Sequence, residues 1–271
     1  MIVYNHEKFI KEAIIGVLNQ VVDFPVELII SNDNSSDDTH QVIQDVLANH
    51  SSNNITVKYF NHKVNKGMMP NFIDSLKTCK GEYIAFCEGD DYWIDNFKLK
   101  KQIEFLDHNP DYNISFHDVK IFKQQTGALE DDDITRNTAE ITDVQNLVRG
   151  NYMHTPSVIL RNNFKLPRWF SKSPIGDWTL YMVAVNDKKI IKLNDVMSVY
   201  RVHDDSVWSN KSRDYRLAKT LKCYKLLFYS KLFKESTKER LKISIDEINY
   251  ALGIKKSFTG KLKDFFIYKV F

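Results

Sequence analysis

The sequence predicts an α/β fold in which a mostly parallel central sheet is flanked by helices. Two observations carry that reading. Short apolar runs of strand length alternate with stretches whose apolar residues recur every three or four positions. Each early apolar run also ends in a polar cluster, and ligands in such sheets bind beyond the carboxyl ends of the strands. The length of 271 residues and 43% apolar content suit one large domain, or one domain with an appendage.

The elements follow in order. Met1-Ile2-Val3-Tyr4 is a strand fragment and Asn5-His6 a turn. Glu7 to Gln20 has helical spacing through Phe9, Ile10, Ala13, Ile14, Val17 and Leu18. Val26 to Ile30 is a strand running into the polar loop 31–39, which holds several helix-capping side chains. His40 to His50 is a helix and Ile55 to Phe60 a strand. Pro70 fits the first turn of a helix reaching Thr78, and Glu82 to Cys87 is the next strand. Further on, helices are expected over Phe97 to Asp107 and Asp177 to Val185. Strands are expected at Ile114-Ser115-Phe116, Val158-Ile159-Leu160 and Val196 to Val202, with an exposed loop or hairpin over 124–145. Beyond Asn210 the chain turns Lys-, Leu- and aromatic-rich. Leu217, Leu221, Tyr224, Phe228 and Leu232 form a stripe that suits a helix packed on the body or lying on a membrane.

The strand at Glu82 to Cys87 leads into Glu88-Gly89-Asp90-Asp91-Tyr92-Trp93. Three carboxylates in four residues repel one another, and a hard divalent cation with oxygen ligands is their natural counter-charge. The rival reading is an acidic turn. No glycine-rich phosphate loop is present, so a bound diphosphate would need its charge neutralised by other means, such as a metal on this cluster. The three cysteines lack metal-site spacing and point to reduced thiols in the cytoplasm. No secretory leader is expected, because Asn5 to Lys8 interrupt any early apolar core, and no run is long enough to span a bilayer. The net charge of +3 hides an asymmetry. Residues 211–271 carry 16 Lys/Arg and 6 Asp/Glu, whereas residues 1–210 carry 22 and 29. A basic tail on an acidic body is expected to meet something anionic, and a peripheral contact at the inner membrane face is one candidate.

An ordered set of short motifs now extends the reading: Tyr4-Asn5-His6-Glu7, Asn32-Asp33-Asn34-Ser35, Gly81-Glu82-Tyr83-Ile84-Ala85-Phe86, Glu88-Gly89-Asp90-Asp91, Gly176-Asp177-Trp178 and Tyr200-Arg201-Val202-His203. The set resembles the family 2 inverting glycosyltransferases of GT-A fold, in particular a bacterial branch reading Glu-Gly-Asp-Asp-Tyr-Trp, and Tyr-Arg-Val-His before Ser-Val-Trp-Ser. The resemblance covers about residues 1–210. It implies a glycosyltransferase domain there, with a nucleotide-sugar half (about 1–118), an acceptor half (119–210) and a basic helical extension (211–271). It further implies that Asp90 and His203 hold Mg²⁺ or Mn²⁺, and that Glu88 orients the ribose or donor sugar with Asp91 in support. Asp33 would accept a hydrogen bond from the base, Tyr4 would lie against it, and Asp177 would be the general base. The donor would be a nucleotide sugar, a UDP-sugar first, and the acceptor a glycan or lipid-linked glycan in surface polysaccharide synthesis. No nucleic-acid partner is expected.

Structural readings stand beside these. Asp177 is also placed to cap a helix, His203 to end a strand, Asp33 to cap the His40 helix or a turn, and Tyr4 to fill core. His117-Asp118 suits a metal site, an acceptor contact or structural pairing; His154 to Ser157 suits an acceptor contact; Trp93 and Trp178 suit packing. Two further functions remain: a nucleotidyltransferase of the same fold, and an inactive sugar-nucleotide-binding module. The first strand departs from the family pattern, with Val3 in place of Thr and only three residues before Tyr4. The chain is therefore expected to start at an internal methionine and to lack most of strand one.

Overall fold

The computed structural model describes residues 1–50, 54–204, 208 and 211–254. Asp205, the Ser206-Val207 and Ser209 positions of the branch motif, and residues 255–271 of the tail lie outside these described residues.

The chain begins with three parallel strands: β1 (Ile2–Val3), β2 (Val26–Asn32) and β3 (Ile55–Asn61). Between them run α1 (Ile10–Leu18) and α2 (Thr39–Asn49), and α3 (Met68–Thr78) follows β3. The parallel crossover follows from the alternation of strand and helix in the sequence. Helix α1 buries Ile10, Ala13, Ile14, Val17 and Leu18, the stripe its spacing predicts. These residues form one core cluster with Val3, Ile30, Ile43, Trp93 and Leu106.

The second half is a mixed sheet. β4 (Tyr83–Ala85) pairs antiparallel with β9 (Ile159–Arg161), and β9 pairs antiparallel with β6 (Tyr112–Lys123). β6 then runs parallel to β10 (Lys189–Val202), and β5 (Tyr92–Trp93) closes the order antiparallel to β10. α4 (Lys98–His108) lies between β5 and β6 in the chain. The expected parallel pairing holds for β1 to β3 and for β6 with β10, whereas β4, β5 and β9 pair antiparallel. β1 is two residues long, so β4 takes its ladder from β9, and one bond from Gly89 N to Ile2 O (3.2 Å) bridges the two sheets. The acidic loop therefore sits on the seam between them.

Segment 124–145 is a hairpin followed by more structure. β7 (Ala128–Asp131) folds back on β6, then α5 (Asp133–Arg136), β8 (Ile141–Thr142) on β10, and α6 (Val144–Leu147) follow. Asp132 is buried and caps α5 by accepting from the Thr135 amide at 2.7 Å.

α7 (Asp177–Val185) is the central helix. Trp178 to Val185 are all buried, as a helix apolar on every side requires. Trp178 donates its indole N–H to Leu147 O at 3.0 Å, and Trp93 donates to Pro156 O at 3.0 Å, so both tryptophans pack. His117 is wholly buried with Nδ1 2.8 Å from Asp118 O, and Asp118 faces Lys192 at 3.6 Å, which is structural pairing.

The tail contributes α8 (Arg213–Phe228) and α9 (Glu235–Ala251). Leu217, Leu221 and Tyr224 are buried in the same cluster as α7, and Leu241 and Ile248 join them. The predicted stripe thus faces the body, where the Trp178 and Tyr224 rings meet with centroids 4.9 Å apart. Its last member, Leu232, lies past the end of α8 and is half-exposed. No helix among the described residues is long and apolar enough to cross a membrane.

Candidate functional site

Two loops at the ends of β1 and β2 are zipped together. Asn5 sits in the left-handed region (φ 54°), and its side-chain oxygen accepts from the Ser36 amide at 2.9 Å. His6 N donates to Thr39 Oγ1, and Glu7 and Asp37 exchange backbone-to-carboxylate bonds with the opposite loop. Tyr4 is left 47% exposed on this rim, so it is not core. Asp33 is buried at the end of β2 and accepts from two amides, Lys66 N at 2.8 Å and Gly67 N at 2.9 Å. It braces the turn before α3 rather than capping α2.

The acidic loop lies beside this rim. Gly89 is pressed against it: a Cβ there would stand 2.6 Å from His6 Nδ1 and 3.1 Å from Val3 Cγ2, so only glycine fits. Glu88, Asp90 and Asp91 each bring a carboxylate oxygen within 4.8 Å of the others. They are not equivalent. Burial opposes charge on Asp90, but a hydrogen bond from His203 and the charges of His6 and His203 hold its carboxyl below the usual range. His203 Nε2 lies 3.1 Å from Asp90 Oδ2, and His6 Nε2 lies 3.9 Å from the same oxygen. Burial pushes Glu88 up to about 8, with the negative charges of Asp90 and Asp177 adding to it. Asp91 is raised for the same reasons, burial first, then Asp90 and Glu88.

These residues fit a divalent cation. Asp91 is buried, its Oδ1 accepts from Arg201 N at 2.8 Å, and its Oδ2 has no hydrogen-bond partner among the described residues. An orphaned carboxylate oxygen in a cluster of three acids is a ligand set that a hard cation satisfies.

Asp177 heads α7 and is part-buried. Burial raises its carboxyl, and the backbone amides at the head of α7, the charge of His154 and Thr155 counter that rise. Asn151 Nδ2 donates to its Oδ2 at 3.0 Å. Gly176, not Asp177, is the N-cap residue of α7; Asp177 is its first helical residue, where the positive end of the helix favours its charge. The charge of Asp177 is one of those that raise Glu88.

Three further groups complete the site; among their members the sequence singles out only His154, as an acceptor contact. Arg201 is buried among Phe9, Tyr92 and Phe122, donates to Asp90 O at 2.8 Å and pairs with Glu12, so it clamps the acidic loop to β10 and α1. His6 adds a second imidazole near Asp90. The third group is a pair: His154 Nε2 stands 3.3 Å from buried Asp132 Oδ1, its ring lies tilted against Tyr200 with centroids 4.6 Å apart, and its charge acts on Asp177. Arg201 and His6 stand inside motifs the sequence displays. The Asp132–His154 pair has no local signal, because its members come from a helix cap and a loop far apart in the chain.

The sheet order, the seam of acids and the carboxylate at the head of a buried helix belong to an α/β fold of GT-A type. The model of the Glycosyl transferase family 2 matches residues 1–165, and the chain belongs to that family. An uncharacterized protein of Mycobacterium tuberculosis is 33% identical over 213 residues, which is 79% of this chain and 60% of that protein. This chain thus spans about 60% of the length of that relative. WfaP of Escherichia coli, named as a UDP-Glc:α-D-GlcNAc-diphosphoundecaprenol β-1,3-glucosyltransferase, is 34% identical over 104 residues, 38% of each chain. Among solved structures, residues 1–349 of TarS from S. aureus with UDP-GlcNAc align with TM-score 0.67 at 19% identity, over 97% of this chain and 75% of that one. The mannosyltransferase PcManGT of Pyrobaculum calidifontis, solved with GDP-Man and Mn²⁺, aligns with TM-score 0.62 at 15% identity, over 93% and 70%. At these identities the two structures establish the fold.

Proposed function

We propose that this glycosyltransferase is metal-dependent and inverting, and that it moves a sugar from a nucleotide sugar, a UDP-sugar first, to a glycan or lipid-linked glycan in surface polysaccharide synthesis. The observation that carries the proposal is the cluster of Glu88, Asp90 and Asp91, with Asp177 near enough for its charge to raise Glu88. Residues 1–118 serve the donor, residues 119–210 the acceptor, and 211–271 form the helical extension. The enzyme works in the cytoplasm, with its extension toward the inner membrane face.

The chain's own residues then act as follows. Tyr4 lies against the base and Asp33 accepts a hydrogen bond from it. Glu88 takes donor hydroxyls, supported by Asp91. Asp177 accepts the acceptor hydroxyl proton as the new bond forms at the anomeric carbon, on the face opposite the departing diphosphate. Asp90 and His203 would hold Mg²⁺ or Mn²⁺, which when bound neutralises the diphosphate charge. The UDP-sugar and lipid-diphosphate named for WfaP, the UDP-GlcNAc in TarS and the Mn²⁺ in PcManGT support these choices of donor, acceptor and metal.

The test is sugar transfer, or donor hydrolysis, from a panel of nucleotide sugars with Mn²⁺. Loss of a positioned base costs about 10²–10⁴-fold, so Asp177→Asn is expected to fall in that range with donor binding retained. Asp90→Ala is expected to lose both Mn²⁺ dependence and turnover. Unchanged turnover in both variants refutes the proposal.

A further inference from the structure

One surface feature lies outside the site. A groove of about 290 Å³ runs between the outer side of α8 and the short 3₁₀ turn Arg168–Lys172, lined by Trp169, Lys222, Lys225, Leu226 and Tyr229. Its walls are an indole, a phenol, an isobutyl group and two lysine stems. Tyr229 is 80% exposed. Trp169 is part-buried and anchored by its indole N–H to Ser230 Oγ at 3.2 Å. Along α8 the same outward stripe continues through Lys219, whose ammonium lies 5.1 Å from the ring of exposed Tyr215. Among the described residues no carboxylate lies at ion-pair distance from Lys222 or Lys225; the one acid of α8, Asp214, faces Arg213.

We infer that this groove and stripe are a docking surface for anionic phospholipid headgroups. The opposite side of α8 is already buried on α7, so the basic side is the one turned outward. Aromatic rings at both ends with ammonium groups between them match the depth order of a bilayer interface, where rings sit at headgroup level and lysines meet phosphates. A soluble phosphate site would be built differently: it would use an arginine fork or convergent backbone amides, and it would have no use for a phenol left 80% exposed. The location is consistent with the purpose. α8 packs directly on Trp178, the neighbour of Asp177, so a docked headgroup surface lies about one helix diameter, roughly 10 Å, from the helix that carries the base. In purpose the inference rests on the lipid-linked acceptor proposed above; its test does not involve catalysis.

The full chain is sedimented with vesicles of phosphatidylcholine alone and of phosphatidylcholine with phosphatidylglycerol. Capture is expected with the anionic vesicles and to fall with salt. Lys222→Glu/Lys225→Glu is expected to bind at least about 30-fold more weakly, the loss from removing two lysines at an anionic surface before any repulsion from the new carboxylates. Arg240→Glu/Lys242→Glu makes the same change in net charge on α9 and is expected to bind like the parent. Tyr229→Ala, which removes a ring that is 80% exposed, is expected to weaken capture while keeping its salt dependence. The Tm of the Lys222/Lys225 variant stays at the parent level and verifies its fold. The inference is overturned by equal capture on both vesicle types, by parental binding of the Lys222/Lys225 variant, or by equal losses in both charge-reversal pairs. It is also overturned if inorganic phosphate alone raises the Tm in a Lys222/Lys225-dependent way while vesicles capture nothing. A failed sugar-transfer assay with normal vesicle capture rejects the catalytic reading and leaves the docking surface standing.

Discussion

Glu88 gives the chain a pH signature. Its carboxyl has an ordinary value of 4.5 and is raised to about 8 in the folded protein, by burial and by Asp90 and Asp177. The folded state therefore holds a proton that the unfolded state releases between those two values, so stability falls as pH rises through that window. Below pH 4.5 both states are protonated and the penalty is absent; above about 8 both are ionised and it is full. At about 1.4 kcal/mol per unit, the span corresponds to at most about 5 kcal/mol, or a Tm fall on the order of 10 °C for a chain this long. Glu88→Gln removes the titrating group and relieves Asp91 as well. Thermal melts of the metal-free protein from pH 5 to 8 are expected to slope downward in the parent and less steeply in Glu88→Gln, where buried Asp91 still contributes. Mn²⁺ at the cluster should flatten the parent curve too, because a cation stabilises the ionised carboxylates in place of the proton. Parallel slopes in parent and variant would refute the electrostatic account of the cluster.

Other substitutions probe the supports of the site. His154→Gln removes the positive charge that opposes the rise of Asp177, so the acid limb of the kcat profile should move to higher pH while the donor KM holds; an unmoved limb would leave the Asp132–His154 pair a purely structural one. Gly89→Ala forces a methyl to 2.6 Å from His6 Nδ1, and a loss of roughly 1–3 kcal/mol with loss of Mn²⁺-dependent stabilisation is expected in melts. Arg201→Met keeps the bulk among the three rings but removes the bond to Asp90 O. Donor KM should rise more than stability falls, as read by kinetics beside denaturant unfolding.

Much of this was legible in the sequence where a short segment decides its own structure. The stripe of α1, the apolar run of β2 and the Asp177–Val185 helix emerge at or near their predicted ends, because amphipathic spacing or continuous apolarity leaves few alternatives. The acids could be found because three like charges in four residues are costly without a counter-charge. The partner of β4 was not legible. Pairing is a competition between distant edges, and a two-residue β1 loses it to β9. The hairpin and small helices within 124–145 depend on Asp132 turning inward to cap α5, which composition alone reads as an acidic surface. Arg201 stood in a quoted motif, yet its role needed Phe9, Tyr92 and Phe122 to be brought around it.

β10 supplies one more consequence. Successive residues of a strand point to opposite faces, and here they serve different masters. Tyr200 lies against His154, toward the proposed base Asp177; Arg201 and His203 reach Asp90, toward the proposed donor side. The two halves of the site are thus measured off a single rigid ruler, whose graduations are one residue apart. A change of register in that strand would put both halves out of true together, so variation in donor or acceptor choice must be sought in the loops that overhang the ruler and not in the ruler itself.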